Sequence, residues 1–507
     1  MTDNSKPATI QSMGGHSLAR NTIWNLISYG VPLIAAVFTI PVLIKGMGID
    51  RFGVLTLSWS VIGYFSLFDF GLGRAMTKLV AEKIGTGKDD EVPTIVWTGL
   101  FFMLLLGIAG AVVAARLSPW LVLKVLKIPV SLQHETLRSF YLISFSIPLV
   151  ITTTGLRGFL EAHQRFGIIT TVSVPLGVFT FVGPLLALIY SNDLFNMIAV
   201  LLLCRFLAGV AYFQLCLKIA PALRRTIRFD RAAALRLFSF GGWLTISSIV
   251  GPLMVYLDRF IIGALLSITA VAYYTTPYDV LTRLLLIPTA FVGVLFPTFS
   301  ATLTIDRNRA ARLFTRGVKY VFLILFPFVL VLVTFAREGL NLWLGAEFMR
   351  QSVVVVQFLA IGVFVNGLGH VPYTLVQAAG RADVTAKLHL FELPLYLAAV
   401  WWLTLRFGIT GVAIAWVGRV ALDAAVLFVL ADRISDVPFS SRGSAVVLFM
   451  LSILTFSAAG FLTSLLWKAI LFCVMMSLFV LITWLRILAP DERMLLRNPR
   501  RLFSVVD

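Results

Sequence analysis

The stretch PTIVWTGLFFMLLLGIAGAVVAA, residues 93–115, contains no charged side chain. An α-helix rises about 1.5 Å per residue, so about 20 apolar residues cover the roughly 30 Å hydrocarbon layer of a membrane. Shorter apolar runs are typical of globular cores or of signal peptides. This stretch therefore predicts a transmembrane helix.

Similar apolar runs recur along the whole chain. Backbone polar groups inside a membrane must be paired, so only helices and closed barrels span it. Barrel strands alternate apolar and polar residues over about ten positions, a pattern that these continuous runs lack. The sequence predicts an all-α polytopic membrane protein with fourteen spans, which lie near residues 22–44, 53–75, 93–115, 139–160, 168–190, 194–218, 239–263, 273–299, 315–336, 351–375, 385–406, 409–431, 444–466 and 468–487.

The composition excludes a soluble globular protein. Of 507 residues, 59% are hydrophobic and 13% are charged, and the mean hydropathy is +0.94. Soluble proteins carry roughly 25% charged residues. In a soluble chain, the formal net charge of +18 would point to nucleic acid. Here most charges lie between apolar runs, so we expect no nucleic-acid partner.

The basic residues also predict an orientation. They are concentrated on alternate connections, such as residues 218–236 and 307–319, and in the C-terminal stretch 486–501. Cytoplasmic loops carry an excess of Lys and Arg. We therefore expect both termini in the cytoplasm, with the basic loops attracted to anionic membrane lipid.

No pattern predicts a metal, a cofactor or an ATP site. Cys204, Cys216 and Cys473 lie inside apolar runs, without disulfide or metal-ligand spacing. The stretch Gly85–Asp89 departs from the Gly-x-x-x-x-Gly-Lys-Ser/Thr pattern that cradles phosphates. No connection is long enough for a separate catalytic domain, so we expect a protein that is not an enzyme.

Two short alignments suggest an internal repeat. Residues 199–205 align with 413–419 at an offset of 214, and residues 161–165 align with 377–381 at an offset of 216. Chance alignment of apolar residues is the alternative. Six spans separate the copies, so both halves share one orientation, as in carriers with parallel repeats. We expect an N-terminal lobe at 1–218 with spans 1–6, a basic linker at 219–238, a C-terminal lobe at 239–431 with spans 7–12, and spans 13–14 with a basic tail at 432–507.

Several short motifs resemble one family of membrane proteins. They are NTIWN at 21–25, GMGIDRFG at 46–53, DFGLG at 69–73, YLDRFIIG at 256–263, VAYY at 271–274 and WLG at 343–345. In their order and spacing they resemble the Wzx-type polysaccharide flippases of the MATE-like (MOP) exporter superfamily.

That resemblance implies twelve core helices in two lobes, often with two extra spans. It implies flipping of an undecaprenyl-pyrophosphate-linked oligosaccharide from the cytoplasmic to the outer leaflet of the bacterial inner membrane by alternating access. Polysaccharide polymerase or export proteins would be partners, and a proton or sodium ion would be a coupling ion.

Ionisable residues inside membrane spans cost free energy to bury and usually mark functional sites. In spans 7 and 8 we expect Arg259 to reach Asp279, and Arg283 to pair with Asp279 at the i,i+4 spacing of a helical ion pair. In the resembled superfamily these helices line the central cavity. We therefore interpret Arg259 and Arg283 as cargo contacts beside the aromatic rings of Tyr273, Tyr274 and Tyr278, with a structural cluster as the alternative.

Other buried charges also allow two interpretations each, one as cargo contacts and one as structural groups. Arg205 and Arg419 lie near the middle of spans 6 and 12, either as a cationic floor for the cargo or as ion pairs inside each lobe, with Asp423 one turn from Arg419. Ion-coupling candidates are Asp69, Asp258 and Asp279. Glu392 and His370 are single groups without an obvious partner, and the common outcome for such groups is a satisfied core residue.

Span 8 contains Pro277, Pro288 and Pro297, which free backbone carbonyls and permit kinks. This predicts a bent helix there.

Three rival functions differ in the charges they require. A membrane glycosyltransferase or polymerase would present acids on outer loops, where this chain has few. A MATE-type drug or cation antiporter would place acids in its cavity, whereas the buried charges here include at least as many arginines. A peptidoglycan lipid II flippase has an anionic cargo too and stays open at this point.

Overall fold

The computed structural model describes residues 15–65, 71–225, 227–303, 305–435 and 439–497. These residues form helices without a β-strand, which confirms the all-α prediction. The α-helices are α1 Gly15–Met47, α2 Ile49–Phe65, α3 Leu72–Gly85, α4 Val92–Trp120, α5 Val130–Ala162, α6 Phe166–Tyr190, α7 Leu194–Ile219, α8 Ala222–Arg225, α9 Arg231–Leu265, α10 Ile268–Leu281, α11 Leu286–Leu303, α12 Arg307–Thr334, α13 Ala336–Leu344, α14 Ala346–Ala378, α15 Ala382–Ser435, α16 Phe439–Phe461, α17 Leu465–Ile482 and α18 Pro490–Arg497.

Within the described residues, ten segments are long and apolar enough to cross a membrane. One of them, Ala382–Ile434, contains two helices that meet at Gly408, and Val446–Phe461 is a shorter apolar helix. These helices are compatible with the fourteen predicted spans. The protein is a multi-pass membrane protein.

The chain divides into two compact units. The first comprises Met1–Lys124 with Pro129–Pro252, and the second comprises Val125–Ile128 with Leu253–Asp507. The change from one unit to the other falls inside α9. The lobe boundaries expected from the internal repeat stay a prediction.

In the first unit, α5 is the central packing element and contacts α2, α3, α4, α6 and α7. Its buried face includes Phe159 and Leu160, which pack in one core with Met76 of α3. Gly158 permits a close approach of α5 to α3, since a Cβ there would lie 2.5 Å from Thr77 Oγ1 and 3.0 Å from the Gly73 carbonyl oxygen. This crossing holds the start of α3 against α5.

In the second unit, α14 is the central element and contacts α10, α11, α12, α13 and α15. Its core contains Phe364 and Leu368, together with Phe326 of α12. In span 8 a 3-10 segment, Thr282–Leu285, separates α10 from α11. The bend expected there stays a prediction.

Helix α15 is a hairpin rather than one straight helix. Gly408 has φ 58° and ψ −141°, a backbone conformation that residues with a side chain rarely adopt. A Cβ on Gly411 would overlap the Leu403 carbonyl oxygen, so the two arms meet tightly at the turn. As a result, residues on the two arms that are equally far along the chain from Gly408 lie beside one another.

Candidate functional site

A cavity of about 420 Å³ lies inside the first unit. Residues of α3, α5, α6 and α7 line it. Its charged lining consists of Arg74, Arg157, Arg205 and Glu161. Three arginines against one glutamate give this cavity an excess of positive charge.

The helices that form the cavity explain its polarity. The N-terminal end of α3 reaches the cavity at Gly71 and Gly73, and helix N-termini carry partial positive charge. Thr153 and Thr154 of α5 add hydroxyl groups. The result is a site that suits an anion with several oxygen atoms.

The three arginines differ in their partners. Arg157 donates from Nε to Glu161 Oε1 at 2.9 Å, an i,i+4 pair on α5. Arg205 is partly exposed in the middle of α7, and it has no ion-pair partner within the described ranges. Its charge is therefore available to a ligand in the cavity. The sequence analysis named Arg205 as a candidate site residue, but it named neither Arg74 nor Arg157 as one.

In the second unit, the structure brings together three of the charged residues predicted in spans 7 and 8, namely Asp258, Arg259 and Asp279. Arg259 donates from Nη2 to Asp279 Oδ1 at 2.6 Å, and its backbone N–H donates to Asp258 Oδ1 at 2.7 Å. The Tyr274 hydroxyl donates to Asp258 Oδ2 at 3.0 Å. Asp258 and Arg259 are only 1% and 3% exposed, whereas the Asp279 side chain is 45% exposed.

Aromatic rings surround this charge cluster. The Arg259 guanidinium lies 5.0 Å from the Tyr256 ring centre and 5.5 Å from that of Tyr278. Tyr278 stacks on Tyr274 with 5.7 Å between ring centres. Tyr273 is also buried, but its ring packs against Phe348 instead. The rings of Tyr256 and Tyr278 stabilise the buried Arg259 cation.

Arg283 differs from the sequence expectation. No Asp279–Arg283 salt bridge is present in the described structure, and Asp279 pairs with Arg259 instead. The expected i,i+4 pair assumed a continuous α-helix, but α10 ends at Leu281 and Arg283 lies in the 3-10 segment. The tighter turn changes the direction of the Arg283 side chain, which is partly exposed.

Arg419 also departs from its expected pairing. Its Nη1 lies 3.9 Å from Met254 Sδ, and its guanidinium lies 5.5 Å from the Tyr396 ring centre. The nearby Asp423 instead has its Oδ1 3.7 Å from His389 Nε2. The sequence interpretation missed His389, although its spacing of three residues from Glu392 was a detectable signal.

Asp69, the remaining ion-coupling candidate, lies outside the described residues.

A sequence model of the family described as "Polysaccharide biosynthesis protein" matches residues 18–303, which is more than half of the chain. The chain belongs to this family. It is 31% identical to a Shigella flexneri protein named "Putative O-antigen transporter" over 426 residues, which cover 83% of this chain and 99% of that protein. The resemblance proposed from the sequence motifs is thereby confirmed.

Solved structures share the fold of this family member. An inward-facing multidrug-resistance MATE transporter of the MOP superfamily matches with a TM-score of 0.69 at 15% identity, covering 84% of this chain and 96% of that one. The lipid II flippase MurJ in an inward closed conformation matches with a TM-score of 0.69 at 11% identity, covering 92% and 98%. At these identities the likeness concerns the fold alone.

Proposed function

We propose that this protein flips an undecaprenyl-pyrophosphate-linked oligosaccharide, a repeat unit of a surface polysaccharide, from the cytoplasmic to the outer leaflet by alternating access. Family membership and the similarity to the O-antigen transporter support this cargo class. The single structural observation that carries it is the cationic cavity lined by Arg74, Arg157 and Arg205. A pyrophosphate group offers the charge and the oxygen atoms that this lining suits.

The arginines have different roles in this proposal. Arg205 is a pyrophosphate contact, because it combines a position in the cavity with a charge that no carboxylate neutralises in the described structure. Arg283 and Arg419 are further cargo contacts, with Tyr273, Tyr274 and Tyr278 as aromatic neighbours. Arg259 holds Asp279 in position through their ion pair.

The remaining sequence expectations complete the proposal. The protein lies in the bacterial inner membrane with both termini in the cytoplasm, and the lobes 1–218 and 239–431 alternate access to the cargo. A proton or sodium ion couples transport through Asp258 or Asp279. Polysaccharide polymerase and export proteins receive the product. The protein transports its cargo without an enzymatic step.

The charge of the cavity distinguishes this function from the closest rivals. A drug or cation antiporter requires acidic groups facing its cargo, whereas the cavity lining has three arginines and one glutamate. Lipid II flipping is the second candidate, since the MurJ fold matches and lipid II is also a pyrophosphate-linked sugar lipid. The two differ in the sugar head group.

A flipping assay in proteoliposomes tests the proposal. Purified protein is reconstituted with a fluorescent undecaprenyl-pyrophosphate oligosaccharide, and a membrane-impermeant quencher reports the fraction in each leaflet. We expect protein-dependent flipping that Arg205→Ala reduces at least tenfold, while the exposed Arg350→Ala control retains it. Flipping of lipid II alone would favour the second candidate, and flipping of neither lipid would refute both.

A further inference from the structure

Glu392 is a buried carboxyl group without a partner. It lies on the first arm of the α15 hairpin and is 1% exposed. Neither carboxylate oxygen has a hydrogen-bond partner in the described structure. An isolated buried carboxylate is costly, so such a group normally binds a cation or a proton.

Two further ligand-type side chains face Glu392. Ligand atoms of His389, Glu392 and Asp423 all lie within 4.8 Å of one another. His389 and Glu392 are three residues apart on one arm of the hairpin, so they share a helical face. Glu392 and Asp423 are almost equally far along the chain from Gly408, roughly 23 Å at the rise of an α-helix. The hairpin therefore brings the three side chains together, at the same distance from the turn.

The nearest arginine makes no direct ion pair with these acids in the described structure, although its charge interacts electrostatically with both. Arg419 lies one turn before Asp423, but its guanidinium contacts Met254 Sδ and the ring of Tyr396. The Oδ1 atom of Asp423 has no hydrogen-bond partner in the described part of the chain. Two carboxylates thus face each other beside an imidazole, in a span of low polarity.

A tyrosine ring and a second histidine flank the cluster. The Tyr373 ring lies nearly parallel to His389, with an interplanar angle of 11° and 6.4 Å between ring centres. His370 of α14 also interacts electrostatically with Asp423, and its Nδ1 lies 2.8 Å from the Asn366 carbonyl oxygen.

We propose that His389, Glu392 and Asp423 bind one divalent transition-metal cation of the Zn²⁺ or Mn²⁺ class. A mixed set of imidazole and carboxylate ligands suits these ions, whereas Mg²⁺ and Ca²⁺ prefer oxygen ligands alone. Metal sites in helical bundles use the same device, with ligands three residues apart on one helix and a ligand from a facing helix. The His389 and Asp423 side chains are 27% and 20% exposed, which leaves an approach for the ion.

The bound cation would connect the two arms of the hairpin. It adds a cation that both carboxylates share and so removes their repulsion. None of the three proposed ligands lines the cavity of the first unit, so the metal-binding test does not depend on cargo binding in that cavity.

The test is direct metal binding to the purified full-length protein. After removal of metal with a chelator and dialysis against Zn²⁺, elemental analysis gives the metal content, and electron paramagnetic resonance measures Mn²⁺ binding. We expect one equivalent of metal per chain. Glu392→Gln and Asp423→Asn, which preserve shape, should weaken binding at least tenfold, while Glu347→Gln and His163→Gln should bind as the wild type does.

Each outcome decides the proposal. Stoichiometric binding in the wild type that both isosteric variants lose supports it, provided that the variants elute as monodisperse protein. No bound metal in the wild type, or equal binding by all variants, overturns it. Flipping is measured separately: a protein that flips its cargo but binds no metal refutes this inference and leaves the proposed function intact.

Discussion

Replacing Arg259 by alanine should destabilise the protein strongly. The change removes the cation that faces Asp258 and Asp279 in the second unit. Asp279 is half exposed and can be solvated, but Asp258 is 1% exposed and cannot. Loss of one partner from a buried pair costs about 3–5 kcal/mol, because the remaining charge stays buried. For a unit of this size, that corresponds to a fall in melting temperature of roughly 10 °C.

A rescue variant separates this cause from a general packing defect. Adding Asp258→Asn to Arg259→Ala removes the buried charge. The amide oxygen can still accept the backbone N–H of residue 259, and the amide NH2 can donate to the Tyr274 hydroxyl oxygen. We expect the double variant to recover most of the lost melting temperature. Arg406→Ala, at an exposed site of the same unit, is the matched control and should change little.

Thermal unfolding in detergent, followed by intrinsic fluorescence or by size-exclusion chromatography after heating, measures all four proteins. If Arg259→Ala melts within about 2 °C of the wild type, the buried charge of Asp258 does not depend on Arg259 and the reasoning is refuted. A double variant that is less stable than Arg259→Ala would also contradict it.

Three further predictions follow from other parts of the molecule. Arg205→Lys should retain part of the export that Arg205→Ala loses, because lysine restores the positive charge but not the planar guanidinium group that binds phosphate oxygens in pairs. The assay measures surface polysaccharide on a strain that lacks its own flippase. Burial acts to raise the pKa of Glu492, but hydrogen bonds from Lys319 and Tyr320 and from the Ala489 backbone lower it to about 2. The Lys319–Glu492 pair should therefore contribute about 1 kcal/mol to the free energy of unfolding above pH 4.5, and this contribution should be lost as the pH falls towards 2. Glu492→Gln should thus have a lower melting temperature than the wild type at pH 7 and a nearly equal one at pH 2. An equal difference at both pH values would contradict this. Gly158→Ala should cost about 1–3 kcal/mol, since its Cβ would meet the start of α3, and unchanged melting would show that the α3–α5 crossing adjusts freely.

The sequence predicted the parts of the fold that follow from local chemistry. Long apolar runs require helices because an unpaired backbone is too costly in a membrane, so the helical class was predictable. The Arg259–Asp279 contact was also predictable, because a short connection joins α9 to α10 and places both residues near the same end.

The sequence interpretation failed where backbone geometry decides contacts. The expected Asp279–Arg283 pair assumed α-helical spacing, but the 3-10 segment Thr282–Leu285 changes it. The cluster around Glu392 was missed because its third member, Asp423, comes from the other arm of a hairpin. The predicted spans 385–406 and 409–431 indicate the two arms, which meet at Gly408, but hydropathy does not show which faces of the arms meet.

The cavity in the first unit shows a related difficulty. Arg74 and Arg157 lie close to helix ends, where positive charge normally reflects orientation in the membrane. The packing of α3 and α7 against α5 brings them together with Arg205. Charge counts along the chain cannot separate an orientation signal from a ligand site when one residue serves both.

The affinity of the protein for undecaprenyl pyrophosphate, compared with that for uncharged undecaprenol, tests the central claim most directly. Both are measured in nanodiscs of neutral lipid, with the wild type and with Arg205→Ala. We predict that the wild type binds the pyrophosphate at least tenfold more tightly and that Arg205→Ala loses most of this preference. Equal affinity of the wild type for the two lipids would contradict the claim that the arginine-lined cavity receives an anionic cargo.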